Sequence, residues 1–586
     1  MASVEYSFDL VIAGSGGGGM TAALAAVDAG LRPLVIEKQQ FVGGSTAMSG
    51  GVIWLPNNPL MREQNVPDSE RAGMDYFASV VGEPDDGSSL ARRSAFLREG
   101  SSMIDFLRHK GVELVRCEGY SDYYDNLQGG SSRGRSVEAA PWDGKQLGEW
   151  NARIHPGLAR AFRLAVKTNE IRRISTFQRS ASSFAITARV FLRTTLSKLA
   201  GKDLLTNGMS LIGQMTKAAL DAGVEIWTET GVQDLVVENG RVVGVVALRG
   251  GEAVTVRARN GVLLSAGGFE RNPEMRRKYT ENTQPNDGQW TSATAGNTGE
   301  VLAAAIALGA KTDYMDEAVW QPSPRKDFGM SALSQARQWA HTILVNQKGV
   351  RFCNESNSYV EVGRAMYAND AAPAWLIFDD SYRRNVVWSG GLPQLKNWKT
   401  AIPGKMPEKW IAEGWMRRAD TIEGLAHMID VDPAVLTETV REFNMDAQRG
   451  RDPKFHRGES QYNKVLGDPG STPNPAVGPI ENGPFYATEI YPGDVGTAGG
   501  VVTDEYARVL DEAGNPIPGL YAAGNMTATV MGRNYLGAGA SIANTMVFGY
   551  IAARHAARSR KSEAVSKASS AAAGSVSSNS TGTQSA

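Results

Sequence analysis

Residues 8–30 read FDLVIAGSGGGGMTAALAAVDAG, and residues 31–38 continue as LRPLVIEK. A short β-branched apolar run precedes a glycine run, and an alanine-rich segment then ends at Gly30. This order predicts a strand, a turn and a helix, and LRPLVIEK predicts a second strand. Together they have the size of one βαβ unit. The N-terminal region is therefore predicted to be a Rossmann-type α/β domain.

The glycine run is predicted to hold phosphate groups against the backbone. Residues 14–19, GSGGGG, match the GxGxxG pattern, follow a strand and open a helix. Gly14 permits a tight turn, Gly16 the close approach of pyrophosphate, and Gly19 the packing of helix on strand. Glu37 ends the second strand, where a carboxylate can accept hydrogen bonds from ribose hydroxyls and disfavours the 2′-phosphate of NADP. The sequence therefore predicts a dinucleotide site.

Further glycine-bearing segments extend this site. Residues 43–51, GGSTAMSGG, follow Glu37 closely, and such a run lets backbone amides approach a cofactor. Near the C-terminus, residues 520–525 (LYAAGN) and 537–543 (GAGASIA) predict a second strand, turn and helix. We therefore expect a long cofactor, because segments from both ends of the chain would contact it.

The order of elements divides the chain into two lobes. Residues 1–315 and 486–558 are predicted to form the Rossmann-type domain, which includes a hairpin with its turn at Asn239-Gly240. Residues 316–485 are rich in Trp, Pro and Arg, and are predicted to be an inserted α+β lobe that covers a substrate. Residues 559–586 form a Ser/Ala/Gly tail that cannot bury apolar surface and is predicted to be disordered.

One segment of the first lobe is basic and amphipathic. Residues 153–202 contain eleven Lys and Arg residues but one acidic residue, Glu170, interleaved with apolar residues. The pattern predicts a helix or helix pair within an insert of about 150–205. Two interpretations stay open. The insert is either a solvated helical segment packed on the first lobe, or a peripheral attachment to the anionic inner face of the cell membrane, which would suit a poorly soluble substrate.

Composition excludes several classes of protein. With 61 basic and 62 acidic residues among 586, bulk charge does not favour nucleic acid. The two cysteines, Cys117 and Cys353, lack metal-type spacing, and the six histidines form no HxH or HExxH group, so neither a disulfide framework nor a metal site is predicted. The first apolar run, 8–13, is too short for a membrane span or signal peptide. A cytoplasmic setting is expected.

Several motifs resemble those of a known family. They are EKQQFVGGST at 37–46, SAGGF at 265–269, RFCNES at 351–356, GLYAAGN at 519–525 and GAGASIANTMVFGYIAA at 537–553. The chain resembles the succinate dehydrogenase and fumarate reductase flavoprotein superfamily, and within it most closely the 3-ketosteroid Δ1-dehydrogenases. The resemblance implies a glutathione-reductase-like domain with non-covalent FAD, a 3-ketosteroid substrate, and an external electron acceptor such as a quinone.

The resemblance also implies which residues contact FAD. By motif these are Gly14, Ser15, Gly16, Gly17, Gly18, Gly19, Glu37, Lys38, Gly43, Gly44, Ser45, Thr46, Ser49, Gly50, Gly51, Val232, Ala266, Gly267, Gly268, Gly524, Asn525, Gly539, Ala540, Ser541 and Ile542. The helix that begins near Gly539 would point its N-terminus at the flavin, where its dipole stabilises negative charge on the reduced ring.

Three tyrosines and one glycine match the family's catalytic positions. Tyr535 and the Gly539 amide resemble the pair that grips the C3 carbonyl oxygen. Tyr359 resembles the base that removes the C2 proton, and Tyr123 resembles its hydrogen-bonding helper. A phenol with a pKa of about 10 is a poor base at neutral pH, so a neighbouring phenol that stabilises the phenolate makes chemical sense. Two neighbours remain alternatives for the helper, Tyr120 and Tyr124.

The predicted activity is FAD-dependent 1,2-dehydrogenation of 3-oxo-4-ene steroids, including sterones such as cholest-4-en-3-one, to 1,4-dien-3-ones. A 3-ketosteroid Δ4-(5α)-dehydrogenase or a fumarate-reductase-like enzyme are alternatives that share the flavin motifs. Covalent flavin attachment would need a histidine in the GGST region, where Thr46 and Ala47 stand. A non-catalytic, membrane-associated flavin-binding protein is an alternative of another class, because a fold alone does not prove catalysis.

Overall fold

The computed structural model describes residues 5–157, 164–280, 287–324, 336–388 and 402–577, and their side chains except at 172 and 559–577. The strands are β1 Glu5–Ala13, β2 Pro33–Ile36, β3 Val52–Trp54, β4 Leu114–Arg116, β5 Ser136–Ala139, β6 Trp142–Asp143, β7 Leu204–Leu205, β8 Glu225–Trp227, β9 Thr230–Glu238, β10 Arg241–Arg249, β11 Glu252–Leu264, β12 Thr312–Asp313, β13 Ala318–Pro324, β14 Thr342–Val345, β15 Ala374–Phe378, β16 Arg417–Ala419, β17 Phe485–Thr497, β18 Gly500–Val501, β19 Arg508–Leu510 and β20 Pro516–Ala522.

The α-helices are α1 Gly17–Asp28, α2 Gly44–Met48, α3 Pro59–Glu63, α4 Glu70–Val80, α5 Leu90–His109, α6 Thr168–Ser175, α7 Ala181–Leu199, α8 Asn207–Asp221, α9 Pro273–Thr280, α10 Glu300–Ala307, α11 Tyr359–Ala368, α12 Asp380–Asn385, α13 Glu408–Ala412, α14 Ile422–Met428, α15 Pro433–Ala447, α16 Gln461–Leu466 and α17 Ala540–Ser577. Short 3₁₀ segments occupy Gly144–Arg153, Ala336–Gln338 and Gly524–Met526.

The predicted βαβ unit lies at the centre of the largest sheet. Strand β1 pairs in parallel with β2 on one side and with the end of β11 on the other. The strand order is β19-β20-β11-β1-β2-β8. Alternate residues of β1 enter two cores: Leu10 and Ile12 pack with α1 and α17, whereas Val11 and Ala13 pack with β9, β10 and α10. This two-sided burial is typical of a parallel sheet and confirms the α/β fold class.

The predicted hairpin is also present. Strands β9 and β10 pair antiparallel, and β10 continues onto β11. The turn residues Asn239 and Gly240 have φ of 49° and 73°. Two successive positive φ values are what a tight type I′ turn requires, and the Asn-Gly pair tolerates them.

The second lobe has its own sheet. The order is β13-β17-β15-β14, with β16 paired to β17, and all of the pairings are antiparallel. This matches the predicted inserted α+β lobe, but the return to the first lobe was placed too early at 486. Strand β17 belongs to the second sheet, so the chain returns only after Thr497. The apolar pattern from 485 onward specifies a strand, but it does not specify which sheet that strand joins.

The basic insert contains α6 and α7, and is therefore a helix pair. Strands β6 and β7 pair with each other on either side of it, which sets its limits close to the predicted 150–205. Part of the pattern, residues 158–163, lies outside the described residues.

The last helix, α17, packs against α1 in the Rossmann-type domain. The two helices approach so closely that a Cβ at Gly549 would lie 2.3 Å from the backbone oxygen of Gly18. The helical backbone continues to Ser577, although disorder was predicted from 559. The cause of this difference is local, since Ala, Lys, Arg and Glu in this stretch are good helix formers that extend an anchored helix. Residues 578–586 lie outside the described residues.

Candidate active site

A cavity of about 1190 Å³ lies between the two lobes. It exceeds the volume that one drug-sized ligand normally needs, so it has room for a dinucleotide and a substrate together. The predicted cofactor residues that line it are Gly14, Ser15, Gly16, Gly17, Glu37, Lys38, Gly44, Ser45, Thr46, Ser49, Gly50, Gly51, Val232, Ala266, Gly267, Gly268, Asn525, Gly539, Ser541 and Ile542. The predicted catalytic side chains of Tyr123, Tyr359 and Tyr535 line the same cavity.

Five predicted cofactor residues lie behind the cavity wall: Gly18, Gly19, Gly43, Gly524 and Ala540. A Cβ at Gly19 would lie 2.0 Å from the Gly14 oxygen, and a Cβ at Gly18 or Gly524 would lie 2.4 Å from the Thr545 hydroxyl. At Gly18, Gly19 and Gly524 a side chain would therefore clash with the protein itself. The contact with FAD that the motifs imply for the five residues stays a prediction.

The glycine turn forms an open cradle at one end of the cavity. Gly14 has φ of +104°, and a Cβ there would lie 2.3 Å from the Ser265 oxygen. A Cβ at Gly16 would meet only the Thr46 hydroxyl, at 3.8 Å, so this backbone faces free space. The first turn of α1 begins at Gly17, directly beside it. Free amides at a helix N-terminus and an exposed glycine backbone fit a pyrophosphate.

Glu37 lies fixed at the edge of this cradle. Its Oε2 accepts hydrogen bonds from the Ser15 hydroxyl at 2.6 Å and the Ser15 amide at 3.2 Å, and its Oε1 accepts one from the Gln39 amide at 2.9 Å. Burial raises the pKa of Glu37, and these bonds oppose the increase. The carboxylate is thereby oriented at the position where a ribose would lie, which fits an adenine dinucleotide.

The tyrosines predicted from separate motifs meet at the other end of the cavity. The ring centroid of Tyr123 lies 5.4 Å from that of Tyr359 and 5.8 Å from that of Tyr535. The rings of Tyr359 and Tyr535 are 5.4 Å apart. A further phenol, Tyr462 on α16, has its ring 4.6 Å from that of Tyr123. We call these four residues the tyrosine cluster.

The hydroxyl of Tyr535 lies against the backbone at the start of α17. The Ser541 amide donates to it at 3.3 Å, and the Gly539 amide also faces it. Gly539 has φ of +94°, and a Cβ there would lie 2.1 Å from the Val52 oxygen. Only glycine fits this position. One phenol and one backbone amide therefore lie together at the same small volume, as an oxyanion hole requires.

A buried polar network holds Tyr123 in place. Its amide donates to the Leu536 oxygen at 3.1 Å, which ties the loop of Tyr123 to the segment that carries Tyr535. The preceding residue, Asp122, accepts from the Trp54 indole at 2.7 Å and from Arg135 at 2.8 Å. Of the two alternative helpers, Tyr120 lines the cavity and Tyr124 does not; the buried Tyr124 hydroxyl has no hydrogen-bond partner in the described structure.

A second network holds the loop that ends at Tyr359. Tyr359 is the first residue of α11 and is partly accessible because its ring faces the cavity. Four residues before it, Glu355 accepts two bonds from Arg351 at 2.8 Å and one from Arg457 at 3.1 Å. Burial alone would raise the pKa of Glu355, but the two guanidinium groups lower it. The motif RFCNES thus serves to place the tyrosine.

The phenols in the tyrosine cluster lie close enough to change one another's pKa. The hydroxyl of Tyr123 lowers the pKa of Tyr359, and that of Tyr359 lowers the pKa of Tyr535. Burial raises the pKa of Tyr123 and Tyr359 well above 10, and the neighbouring phenols add to this effect. The bond from Tyr123 opposes the increase at Tyr359. Burial and the neighbouring phenols therefore favour the protonated forms of Tyr123 and Tyr359.

Sequence reasoning missed two residues of the site, Tyr462 and Arg337, which both line the cavity. Neither belongs to a glycine-bearing motif, so no local signal singled them out. Within the described ranges, no group of three or more His, Cys, Asp or Glu side chains could hold a metal ion. Likewise, none of the helices in those ranges has the length and apolar character needed to cross a membrane.

Comparison with known proteins gives the family. The family model described as FAD binding domain matches residues 9–542. The 3-oxosteroid 1-dehydrogenase of Mycobacterium tuberculosis (strain ATCC 25618 / H37Rv) is 39% identical over 567 residues, which cover 94% of this chain and 98% of that protein. The 4-oxocyclohex-2-ene-1-carboxylate 5-dehydrogenase of Sinomonas cyclohexanicum is 34% identical over 571 residues, with 94% of each chain covered.

A solved structure agrees with these relatives. The 3-ketosteroid delta1-dehydrogenase from Sterolibacterium denitrificans, in complex with 1,4-androstadiene-3,17-dione, superposes with a TM-score of 0.85 at 34% identity, and the match covers 94% of this chain and all 100% of that one. The resemblance inferred from the motifs and the FAD cofactor are both confirmed. The chain belongs to the FAD binding domain family of flavoproteins and, within it, to the 3-oxosteroid 1-dehydrogenases.

Proposed function

We propose that this flavoenzyme removes hydrogen from C1 and C2 of 3-oxo-4-ene steroids and forms 1,4-dien-3-ones. The observation that carries the proposal is the convergence of the Tyr535 hydroxyl and the Gly539 amide on one volume beside Tyr359. Both donors are neutral, so they suit a ketone oxygen better than a carboxylate. The named activities of the relatives in Mycobacterium tuberculosis and Sterolibacterium denitrificans support the same reaction.

Each residue of the site has a separate role in the proposed reaction. Bound FAD accepts a hydride at N5. Tyr535 and Gly539 hold the C3 oxygen and stabilise the enolate that forms when C2 loses a proton. The Tyr359 oxygen receives that proton, and Tyr123 donates a hydrogen bond to the same oxygen, which stabilises its phenolate form.

The cavity wall beside the tyrosine cluster supports an apolar polycyclic substrate. Its apolar lining includes Val166, Ile171, Ile174, Phe177, Phe191, Trp339, Val386 and Leu466. These residues exclude water and match the surface of a steroid, whose transfer from water they favour. Long-chain sterones such as cholest-4-en-3-one are included in the proposal because the cavity continues beneath the basic insert.

An anaerobic titration tests the reaction. The purified holoenzyme is mixed with 4-androstene-3,17-dione, flavin absorbance is recorded, and the product is identified by mass and NMR. We expect the flavin to bleach and a 1,4-diene to form. In a parallel titration with a saturated 5α-3-ketosteroid, a product with hydrogen removed across C4 and C5, together with no bleaching by 4-androstene-3,17-dione, would identify the Δ4-(5α)-dehydrogenase instead. Bleaching by succinate alone would favour the fumarate-reductase-like alternative, and no bleaching by either would favour a non-catalytic protein.

The role of Tyr359 as the base is tested by Tyr359→Phe. We expect this variant to bind FAD with an unchanged spectrum and to lose turnover by roughly a hundredfold or more, the range of a general base. Tyr124→Phe is the matched control, because it removes a neighbouring buried hydroxyl outside the cavity. Turnover near the wild-type rate in Tyr359→Phe would refute the assignment.

Reoxidation of the flavin needs an acceptor from outside the chain, and we propose a quinone or another diffusible oxidant of similar size. A panel of quinones and artificial dyes, each mixed with the pre-reduced enzyme, ranks the acceptors by the rate at which flavin absorbance returns. Equal, slow rates with every quinone would exclude the quinone class.

We also propose that the insert attaches the enzyme peripherally to an anionic membrane face. The support is the orientation of α7, whose buried side carries Ser183, Thr187 and Thr194 together with Val190. Its outward side carries large apolar residues with high exposure, namely Phe184 63%, Leu192 60%, Leu196 55% and Leu199 80%. Monomeric proteins seldom expose such a contiguous patch to water.

The charges around this patch favour anionic lipid. Arg189, Lys198 and Lys202 are exposed on or beside α7. The opposite side of the insert lines the cavity through Ile174, Thr187 and Phe191. A sterone could therefore pass from the membrane into the cavity without carrying its apolar surface through water.

Vesicle sedimentation tests this attachment. We expect the holoenzyme to bind vesicles that contain anionic phosphatidylglycerol more strongly than neutral phosphatidylcholine vesicles, and Leu196→Glu with Leu199→Glu to abolish binding. Leu248→Glu, at an exposed apolar residue in β10, is the matched control. Equal binding of the insert variant and the wild type would refute the attachment.

A further inference from the structure

Arg337 is a buried cation that the proposed reaction does not yet use. It lies in the 3₁₀ turn Ala336–Gln338 and is 4% exposed. It lines the cavity together with all four members of the tyrosine cluster. Within the described part of the chain, its guanidinium forms no ion pair with a carboxylate, and its Nε has no hydrogen-bond partner. A buried charge with no carboxylate partner among the described residues is costly, so Arg337 is a candidate for a role in the reaction.

The hydrogen bonds that Arg337 does make fix the loop of the base. Its Nη1 donates to the backbone oxygen of Glu355 and, at 3.0 Å, to that of Asn357. These carbonyls precede Tyr359 by four and two residues, respectively. The guanidinium therefore spans the turn that leads into α11 and determines where its first side chain lies.

The charges of the network behind the loop of Tyr359 do not cancel. Its charged groups are Arg337, Glu355, Arg351, Arg457 and Asp452, with Cys353 beside them. Elsewhere around the tyrosine cluster, Tyr120 lies near Tyr123, Asp122 precedes Tyr123 and shares Arg135 with Asp68, and Glu361 follows Tyr359 by two residues. Arg351 pairs with Glu355 and Asp452, and Arg457 pairs with Glu355. Three guanidinium groups thus face two carboxylates, and one positive charge remains. Arg337 carries it, on the side of the network that lines the cavity.

We propose that Arg337 is the positioning residue of the base, which holds the loop of Tyr359 and places a positive charge beside the tyrosine cluster, so that Tyr359 is stabilised as phenolate. This inference rests on the proposed role of Tyr359. Arg337 interacts electrostatically with the phenols of Tyr462 and Tyr123, whose rings are in contact with each other. Through these two neighbours its positive charge affects the phenol of Tyr359. The proton that Tyr359 loses before each turnover passes to solvent, and the oxygen is then free to accept the C2 proton.

The first test uses the pH dependence of flavin reduction. Rates are measured anaerobically with saturating 4-androstene-3,17-dione for the wild type, Arg337→Gln, Arg337→Met and Arg337→Lys. We expect the two neutral variants to shift the apparent pKa of the acidic limb upward by about one unit or more, because each lacks the positive charge beside the tyrosine cluster. At neutral pH their rate should then fall about tenfold. Arg337→Lys keeps the positive charge, so the apparent pKa of its acidic limb should stay close to the wild-type value.

Arg92→Gln is the matched control. Arg92 is also fully buried and donates to the backbone oxygens of Gly87 and Ala528, but it lies outside the cavity. Its loss should lower the melting temperature and leave the limb unchanged. If the neutral variants of Arg337 slow the reaction equally at every pH, with no shift of the limb and no rescue by Lys, the residue is only structural and the proposal is wrong.

A second test needs no steroid. The ultraviolet tyrosinate signal of ligand-free holoenzyme is titrated, and the curve of Tyr359→Phe is subtracted to isolate Tyr359. The proposal requires the midpoint of Tyr359 in the wild type to lie about one unit below its midpoint in Arg337→Gln or Arg337→Met, and Arg337→Lys to keep it near the wild-type value. Equal midpoints in the wild type and the neutral variants would overturn the inference even if the enzyme is active. A shifted midpoint in an enzyme that does not act on steroids would instead overturn the proposed function alone.

Discussion

Tyr535→Phe removes one of the two donors that would hold the steroid carbonyl. The ring is 6% exposed and packs against Tyr123 and Tyr359 at 5.8 and 5.4 Å, so the phenylalanine ring should occupy the same place. The Ser541 amide loses a long bond of 3.3 Å, and the Gly539 amide and Tyr359 lose the hydroxyl that they face. Stability and FAD content should therefore change little, by about 1 kcal/mol at most. The Gly539 amide remains as the single donor.

The expected kinetic loss follows from the missing donor. One oxyanion-hole donor contributes about 3–4 kcal/mol to the transition state, which corresponds to roughly a hundredfold to a thousandfold in rate. Anaerobic stopped-flow with increasing 4-androstene-3,17-dione separates the limiting rate of flavin reduction from substrate affinity. The limiting rate should carry most of the loss, because the bond strengthens as the enolate forms. A limiting rate within about fivefold of wild type, with FAD bound, would refute the oxyanion-hole role.

Three more substitutions test residues that support the site and the fold. Gly539→Ala places a Cβ at a φ of +94° and 2.1 Å from the Val52 oxygen, so we expect loss of FAD and a lower melting temperature. Gly514→Ala is the control, because it has a similar φ of +82° but open space around the Cβ, and so shows the effect of backbone strain without the clash. Glu37→Ala removes the acceptor of three bonds at the cradle and should weaken FAD binding about tenfold or more, read from flavin fluorescence on dilution. Glu270 is buried, and burial raises its pKa above 4.5, so the folded state holds this proton more tightly than the unfolded chain. Stability should therefore fall as pH rises from 4.5 through the raised value, and Glu270→Gln should remove that slope in melting temperature; an unchanged slope would contradict the assignment.

Local patterns predicted the elements of the first lobe well. The strand, glycine turn and helix from Phe8 to Asp28 appear as expected, as does the hairpin at Asn239-Gly240. Sheet membership was predicted less well. Residues 486–497 belong to a strand of the second lobe although we assigned them to the first, because alternation of apolar residues predicts a strand but not the sheet that it joins.

Some residues of the site were predicted from local motifs and others were not. Tyr359 and Tyr535 were found because they stand next to motifs that resemble a family. Tyr462 and Arg337 were missed because their sequence surroundings are ordinary, although both line the cavity. The basic insert is a third case: its pattern predicted amphipathic helices, but not that α7 would bury hydroxyl side chains and expose Phe and Leu.

What the sequence by itself determined is the dinucleotide cradle, because its requirements are local: a turn at Gly14, a bare backbone at Gly16 and a carboxylate at Glu37 act within one βαβ unit. Only the tertiary structure decided which phenols meet and which charge faces them. The members of the tyrosine cluster come from positions 123, 359, 462 and 535, and their rings touch only after two lobes have packed together. Side-chain contacts at such separations depend on how whole elements pack, and no periodicity within a single segment records that packing.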